Sequence, residues 1–282
     1  MKSRQLALVI AGPALQCPMR KLPRLAEHLG PVMAASYRQA SRTANTLRAG
    51  QAVRDCAGLA AARTILLCPS RRPPGGLIAQ LAAADLRWKS KSVILCDNLH
   101  DSGELAALAA RGASVGALCL VDDAAQPLFL VEGAARAVRD ASAFVEAAGG
   151  RVLAVNPGCQ WISVAGISSA SWLAMLAMDC SVACFRQAGL APSRAGQVTE
   201  LILEKALRAF RKGGRRAWKL PVSPAEREAF LRQIEAVRES DEALAEFLAD
   251  AARTSLGRLG ADSAWLAQAS RGRGRGAAGG VG

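Results

Sequence analysis

The sequence predicts an α/β protein, a doubly wound and mostly parallel sheet followed by an all-α C-terminal region. Three observations lead there. Short apolar, β-branched runs alternate with longer Ala- and Leu-rich stretches as far as Val155. Those runs are continuous rather than alternating, which is the pattern of strands covered on both faces. After Pro157 no strand-like run recurs.

Taken in order, the strands are expected at Leu6 to Ile10, Val32 to Ser36, Thr64 to Cys68, Ser92 to Cys96, Val115 to Leu120, Leu128 to Val131 and Val152 to Val155. Helix-compatible stretches lie between them at Lys21 to Leu29, Leu77 to Leu86, Gly103 to Arg111 and Ala134 to Ala148. Strands separated by helices give a parallel sheet with helices on both faces. Beyond Pro157 the helices are expected at Trp161 to Ala188, Ser193 to Lys212 and Pro224 to Leu248. The last opens on Ser223-Pro224-Ala225-Glu226, an N-cap, a Pro at the first helical position and a capping-box acid. The expected domains are residues 1–156 (α/β), 157–267 (helical) and a disordered Arg/Gly tail, 268–282, too poor in large apolar groups to bury a core.

Composition bounds the function. The 282 residues suggest about two domains, and 51% hydrophobic against 21% charged residues means a folded chain. Lys and Arg number 36 against 23 Asp and Glu, a net charge of +13. This excess divides almost evenly between the two halves, so no basic domain is segregated. The run Lys205, Arg208, Arg211, Lys212, Arg215, Arg216 and Lys219 reads as a solvated helix face. Aromatic residues are only 4%, too few for the stacking platforms of a single-strand binder, and nucleic acid is not an expected partner.

Eight cysteines are spread along the chain and several sit inside apolar runs, where Cys acts as a small hydrophobe; this fits a reducing, cytoplasmic setting. With His28 and His100 the only histidines and no CxxC pair, no metal site is expected, and Cys180 and Cys184 read as core packing. The basic start followed by Leu6 to Ala14 reads as a first strand and turn rather than a signal peptide, since Gly12 and Pro13 interrupt it. Trp161 to Met178 holds no charge over eighteen residues, the minimum for a membrane span. Its four serines and the following Asp179 favour a helix buried at a domain or subunit interface, with no membrane.

In a doubly wound sheet, ligands bind beyond the carboxyl ends of the strands. A dinucleotide site there shows G-x-G-x-x-G after the first strand, because the glycines allow the tight turn, the approach of the pyrophosphate and the packing of the helix. Here the stretch is Ala11-Gly12-Pro13-Ala14-Leu15, which keeps only the middle glycine. After the second strand Arg38 and Arg42 stand where an acid would hold a ribose hydroxyl, favouring the 2'-phosphate of NADP. The candidate cofactor-binding residues are Gly12, Pro13, Ala14, Arg38, Cys68, Pro69 and Asn98. No catalytic residue is identified: His28 falls on the first helix, and His100 reads as a surface loop histidine.

The order and spacing of Ile65 to Pro69, Lys91 to Cys96, Leu105 to Leu118, Phe129 to Gly133, Gly149-Gly150-Arg151 and the helix from Trp161 onward carry a resemblance. The chain resembles the bacterial predicted NADP-dependent oxidoreductases that join a Rossmann domain to a helical C-terminal domain, relatives of pyrroline-carboxylate reductase and of the hydroxyacid and phosphogluconate dehydrogenases. The resemblance implies an NADP-dependent oxidoreductase acting on an unidentified small molecule, and a homodimer formed through the helical domain. The departures fall at polar and turn positions. Asp97-Asn98 stands where the family has Ser-Gly, and Cys119-Leu120 where it has His-Pro. On the long helix Ile162-Ser163-Val164-Ala165 and Ser171 replace Tyr-His-Ala-Ala and an Asn, and of the family's Gly-Pro-Val-Ala-Arg-Gly-Asp segment only Pro221-Val222 remains. The alternative is therefore a catalytically inactive pseudo-dehydrogenase that serves as a binding or regulatory protein.

Overall fold

The computed structural model describes residues 6–69, 74–217 and 223–268. Met1 to Gln5, Lys219, Pro221, Val222 and the Arg/Gly repeats from residue 269 onward lie outside the described residues. Two compact units divide the chain within one long helix, between Ala170 and Ser171.

The first unit is built on β1 (Leu6–Ile10), β2 (Leu29–Ala34), β3 (Gln51–Ala52), β4 (Thr64–Cys68), β5 (Ser92–Cys96), β6 (Ser114–Asp122), β7 (Leu128–Gly133) and β8 (Arg151–Ala154). They form one sheet in the order β3-β2-β1-β4-β5-β6-β7-β8, parallel except where β7 runs antiparallel to β6. The direction of the chain across the sheet reverses at the β1–β4 pair, which runs from Leu6↔Thr64 to Ile10↔Cys68.

Every residue of β1, β4 and β5 is buried, because alternate side chains point to opposite faces and both faces are covered. Leu8, Ile10, Leu66, Cys68 and Ile94 pack on one side with Ala137, Ala141 and Phe144 of α5 (Ala135–Ala147). Val9, Ile65, Leu67 and Val93 pack on the other with Ile78 and Leu81 of α3 (Gly75–Ala83) and Leu108 of α4 (Ala106–Ala110). The doubly wound arrangement follows directly. β6 and β7 approach so closely that a Cβ at Gly133, which has φ +123°, would lie 2.5 Å from the Gly116 Cα.

Three local expectations are corrected. The stretch Lys21 to Leu29 is not one helix: Pro23 interrupts it, leaving only the four-residue α1 (Leu25–His28), which two 3-10 turns, Ala14–Gln16 and Pro18–Lys21, precede. The second strand starts earlier, at Leu29, and ends at Ala34. Ser36 accepts the Gln39 amide and caps α2 (Tyr37–Leu47), an element absent from the sequence reading.

One buried cation braces the loop before β4. Lys91 is 2% exposed, and its Nζ donates to the carbonyls of Leu59, Ala60 and Ala62 at 3.2, 2.8 and 2.6 Å. Burial lowers its pKa, and the three carbonyls are what keep an ammonium tolerable there.

In the second unit, the long helix α6 (Gln160–Gln187) arrives from the first and is followed by α7 (Pro192–Gly213), α8 (Pro224–Arg238) and α9 (Glu242–Arg258). The capping box forms as the sequence suggests, with Ser223 Oγ accepting the Glu226 amide and Glu226 accepting that of Ser223. The expected single helix to Leu248 is instead two, because Asp241 accepts the Leu244 amide and starts α9 afresh. Ile234, Ala245, Ala249, Leu256 and Leu266 form its core, with Phe230 edge-on to Trp265 at 5.9 Å.

Within one chain α6 is left largely open to solvent. In the single chain Ile162 is 73% exposed and Trp172 74%, and the helix is long and apolar enough to cross a membrane.

Replacing Lys91 by Met removes three charge-assisted donors and leaves buried carbonyls unpaired; urea unfolding should show stability lower by about 2–4 kcal/mol.

Candidate functional site

The carboxyl ends of β1, β2 and β5 meet two clefts. The first, of about 330 Å³, is bounded by Gly12, Pro13 and Ala14 after β1 and by Gln39, Arg42 and Thr43 on α2. Gln39 Nε2 donates to the Gly12 carbonyl at 3.3 Å, so the turn after β1 is tied to the start of α2. Arg38 is exposed one turn earlier on the same helix; Arg42 is the guanidinium that lines the cleft. A third cation lies near the mouth of α2, where Arg54 stacks over the Tyr37 ring at 5.2 Å.

The turn that usually cradles a pyrophosphate is reduced. Gly12 is buried and its lack of a side chain admits a close approach, but Pro13 offers no amide and the following helix is only the 3-10 turn Ala14–Gln16. The residues therefore fit the ribose and 2'-phosphate end of a dinucleotide, where donors and a cation converge, better than its pyrophosphate.

The second cleft, about 440 Å³, lies on the other side of that turn, between Cys17, Arg20 and Lys21 and the residues Cys96, Asp97 and Asn98 after β5. Lys21 forms an ion pair with Asp123. Asn98 is braced rather than free: its Nδ2 donates to the Leu120 carbonyl at 2.9 Å, and its Oδ1 accepts the Leu120 amide at 3.0 Å. Cys68 and Pro69 are both buried, and Cys68 Sγ lies 3.4 Å from Cys17 Sγ. Of the seven residues singled out in the sequence, Gly12, Pro13 and Ala14 come together in the first cleft, Asn98 lines the second, Cys68 and Pro69 are packed beneath, and Arg38 faces solvent.

Sequence reasoning did not join His100 to Asp97, a hydrogen-bonded pair beside the second cleft. His100 is not a free surface side chain, being only 17% exposed, and its Nδ1 lies 2.7 Å from Asp97 Oδ2. Asp97 Oδ1 accepts the amides of Leu99 and His100, both at 3.0 Å, and the Asp97 carbonyl accepts from Gln160 at the start of α6. The Asp97 charge and burial together push the Cys119 thiol up to about 12, burial contributing more. Glu132, wholly buried, accepts the amides of Ser102 at 3.0 Å and Gly158 at 2.8 Å, joining the loop after β5 to the segment that leads into α6. The spacing Asp97-x-x-His100 was the only signal available. Among the described residues no group of three or more His, Cys, Asp or Glu side chains is arranged to hold a metal ion.

No protein-family model matches the chain, and no curated protein matches it in sequence. Solved structures do share its fold. An imine reductase from Myxococcus stipitatus, a variant in complex with NAD+, superposes with a TM-score of 0.65 at 14% identity, covering 96% of this chain and 100% of that one. A reductive aminase from Aspergillus terreus, in complex with NADPH and ethyl levulinate, gives 0.64 at 14%, covering 95% and 99%. An imine reductase from Pseudomonas sp. gives 0.58 at 12%, covering 94% and 90%. The chain thus shares with these structures a Rossmann-like fold followed by a helical C-terminal region.

Truncating Asn98 to Ala leaves the Leu120 amide without its partner and its carbonyl with only the Cys119 thiol at 3.8 Å, and chemical denaturation should register a loss of about 1–3 kcal/mol.

Proposed function

We propose that this chain is an NADP-binding oxidoreductase of the Rossmann type, acting in the cytoplasm on a small carbonyl or imine compound, with residues 1–156 holding the dinucleotide. The observation that carries the reading is the first cleft: a buried glycine after β1 faces Gln39, Arg42 and Thr43 across a space open to solvent. An arginine in that position supplies a fixed cation and several donors to a phosphate on the adenosine ribose, whereas a carboxylate there would reject it. Ala14 lies on the path between the two clefts, and Asn98 borders the second. When bound, the dinucleotide supplies a hydride donor. This chain would then contribute orientation and a proton. His100 suits the second task because Asp97 fixes its Nδ1 and leaves Nε2 for exchange with a reacting group. The substrate class is taken from the activities named for the similar structures.

A second reading, a binding or regulatory protein without catalysis, draws on one observation: Pro13 and the 3-10 turn after it weaken the pyrophosphate end of the site. A chain that binds NADPH yet turns over neither carbonyl nor imine compounds belongs to that class.

The partner proposed for α6 is a second copy of the chain. Trp161, Ile162, Trp172, Leu173 and Met175 on α6, with Leu201, Ile202, Leu207 and Phe210 on α7, are all at least half exposed. That is more apolar surface than a soluble monomer usually shows. Fully covering a large apolar side chain contributes about 1.5–3 kcal/mol. Small residues on α6, among them Gly166, Ser169 and Ala170, let another helix approach. Asp179 and the mixed charges of α7 suit a protein interface with a wet rim better than lipid.

Two measurements test these statements. Calorimetric titration should show NADPH bound more tightly than NADH, with Arg42→Ala costing NADPH roughly tenfold in affinity, about 1.4 kcal/mol, and NADH little. Equal losses for the two cofactors remove the 2'-phosphate assignment, and no binding at millimolar NADPH removes the oxidoreductase reading. Light scattering in detergent-free buffer should give twice the monomer mass for the native chain, and the monomer for a Trp172→Glu, Leu173→Glu variant. A native monomer, or solubility only in detergent, overturns the dimer.

A further inference from the structure

Three of the eight cysteines converge where the sheet changes direction. Cys68 ends β4 and Cys96 ends β5, while Cys17 sits between the two 3-10 turns that follow β1. All three are buried and none is oxidised. The Sγ atoms of Cys17 and Cys68 are 3.4 Å apart, although the residues are 51 positions apart in the chain. Neither the hydride chemistry nor the clamp on a dinucleotide phosphate gives these thiols a task.

We propose that Cys17 and Cys68 form a reversible disulfide in response to peroxide, making the crevice between β1 and β4 a redox-modified site. The geometry favours this pair. A disulfide requires sulfurs about 2.05 Å apart, and the residual gap is small enough for side-chain rotation and a slight shift of the turn to close. Cys68 is fixed by the ladder, since its carbonyl also accepts the Ala11 amide at 3.0 Å, but Cys17 lies in an irregular connection between two single turns. Access exists on one side, because the 440 Å³ cleft is lined by Cys17 together with Arg20 and Lys21. A molecule of peroxide size fits there, whereas a bulky disulfide reagent would have to displace the turn. Cys96 is the competing thiol, but its Sγ donates to the Ile94 carbonyl at 3.3 Å within its own strand.

The step balances without a metal. The Cys17 sulfur attacks one peroxide oxygen and the O–O bond breaks. The sulfur keeps one oxygen as a sulfenic acid, and the thiol proton leaves with the other as water. Cys68 then attacks the sulfenic sulfur, the S–O bond breaks, and the second thiol proton leaves with the hydroxyl as another water. Two thiols give up two electrons, and the peroxide takes them. The mutual hydrogen bond and burial hold Cys17 above its usual range, so the reaction is slow and reports sustained oxidation rather than a brief pulse.

This inference stands apart from the dinucleotide reading, because its readout is covalent. The native full-length chain is incubated with millimolar hydrogen peroxide, the remaining thiols are alkylated, and the protein is digested without reduction. The expected result is a Cys17–Cys68 linked peptide, a mass lower than that of the reduced chain by two hydrogen atoms, and full reversal by dithiothreitol. Cys96→Ser should still form the link, and Cys17→Ser should not. Should either variant fail to fold, the peptide map of the native chain decides alone. Persistent alkylation of both Cys17 and Cys68, overoxidation of Cys17 to a sulfinic acid, or a dominant Cys68–Cys96 link overturns the proposal.

Discussion

The parallel pairing of β1 with β4 is the constraint from which the functional end of the molecule is built. Five consecutive pairs bring Ile10 and Cys68 level, and the Ala11 amide extends the ladder by one bond beyond them. The chain leaves β1 toward one side of the sheet and reaches β4 only after crossing back from the other, so the two strand ends splay apart and open a crevice. Gly12, Cys17, Asp97 and Arg42 all owe their proximity to this reversal. No local preference among them would bring them together.

Around that crevice the chain departs from the usual way of holding a phosphate. A long helix beginning at the turn after β1 would present its amides and positive end to an anion. Pro13 and Pro18 divide this stretch into single turns, and Pro23 ends any continuation before α1. The polar function shifts sideways to α2, whose Gln39 grips the Gly12 carbonyl and whose Arg42 faces the cleft. Electrostatics supplied by a side chain replaces electrostatics supplied by a helix end. The same irregular turns set Cys17 against Cys68, so one set of prolines weakens the phosphate cradle and assembles the thiol pair.

Buried charges hold the loops that frame the site. Glu132 is satisfied by two amides from separate loops, Lys91 by three carbonyls, and Asp97 by two amides and a histidine. Each charge would be costly in an apolar interior unless every bond were made. That requirement fixes loop conformation more tightly than apolar packing could. The helical unit is organised differently: α8 and α9 enclose a small core, while α6 and α7 leave large apolar side chains in water.

The central strands are legible in the sequence. Burial on both faces demands uninterrupted apolar runs, and Leu6 to Ile10, Thr64 to Cys68 and Ser92 to Cys96 coincide with β1, β4 and β5 residue for residue. The sequence also determined the capping of α8, because a capping box is a local interaction spanning four residues. Where local signals are weak or compete, it is less decisive: α2 is rich in polar residues and shows no apolar run that would mark an element, and Asp241 splits one apparent helix into two. The arginine that faces the cleft is set by tertiary structure, since Arg38 and Arg42 are both exposed, one turn apart, and which of them borders the cleft depends on where α2 docks. Tertiary structure alone paired Cys17 with Cys68 and gave Lys91 its three carbonyls. Such contacts join positions far apart in the chain, and their distances are set by sheet order and register, which no window of the sequence contains.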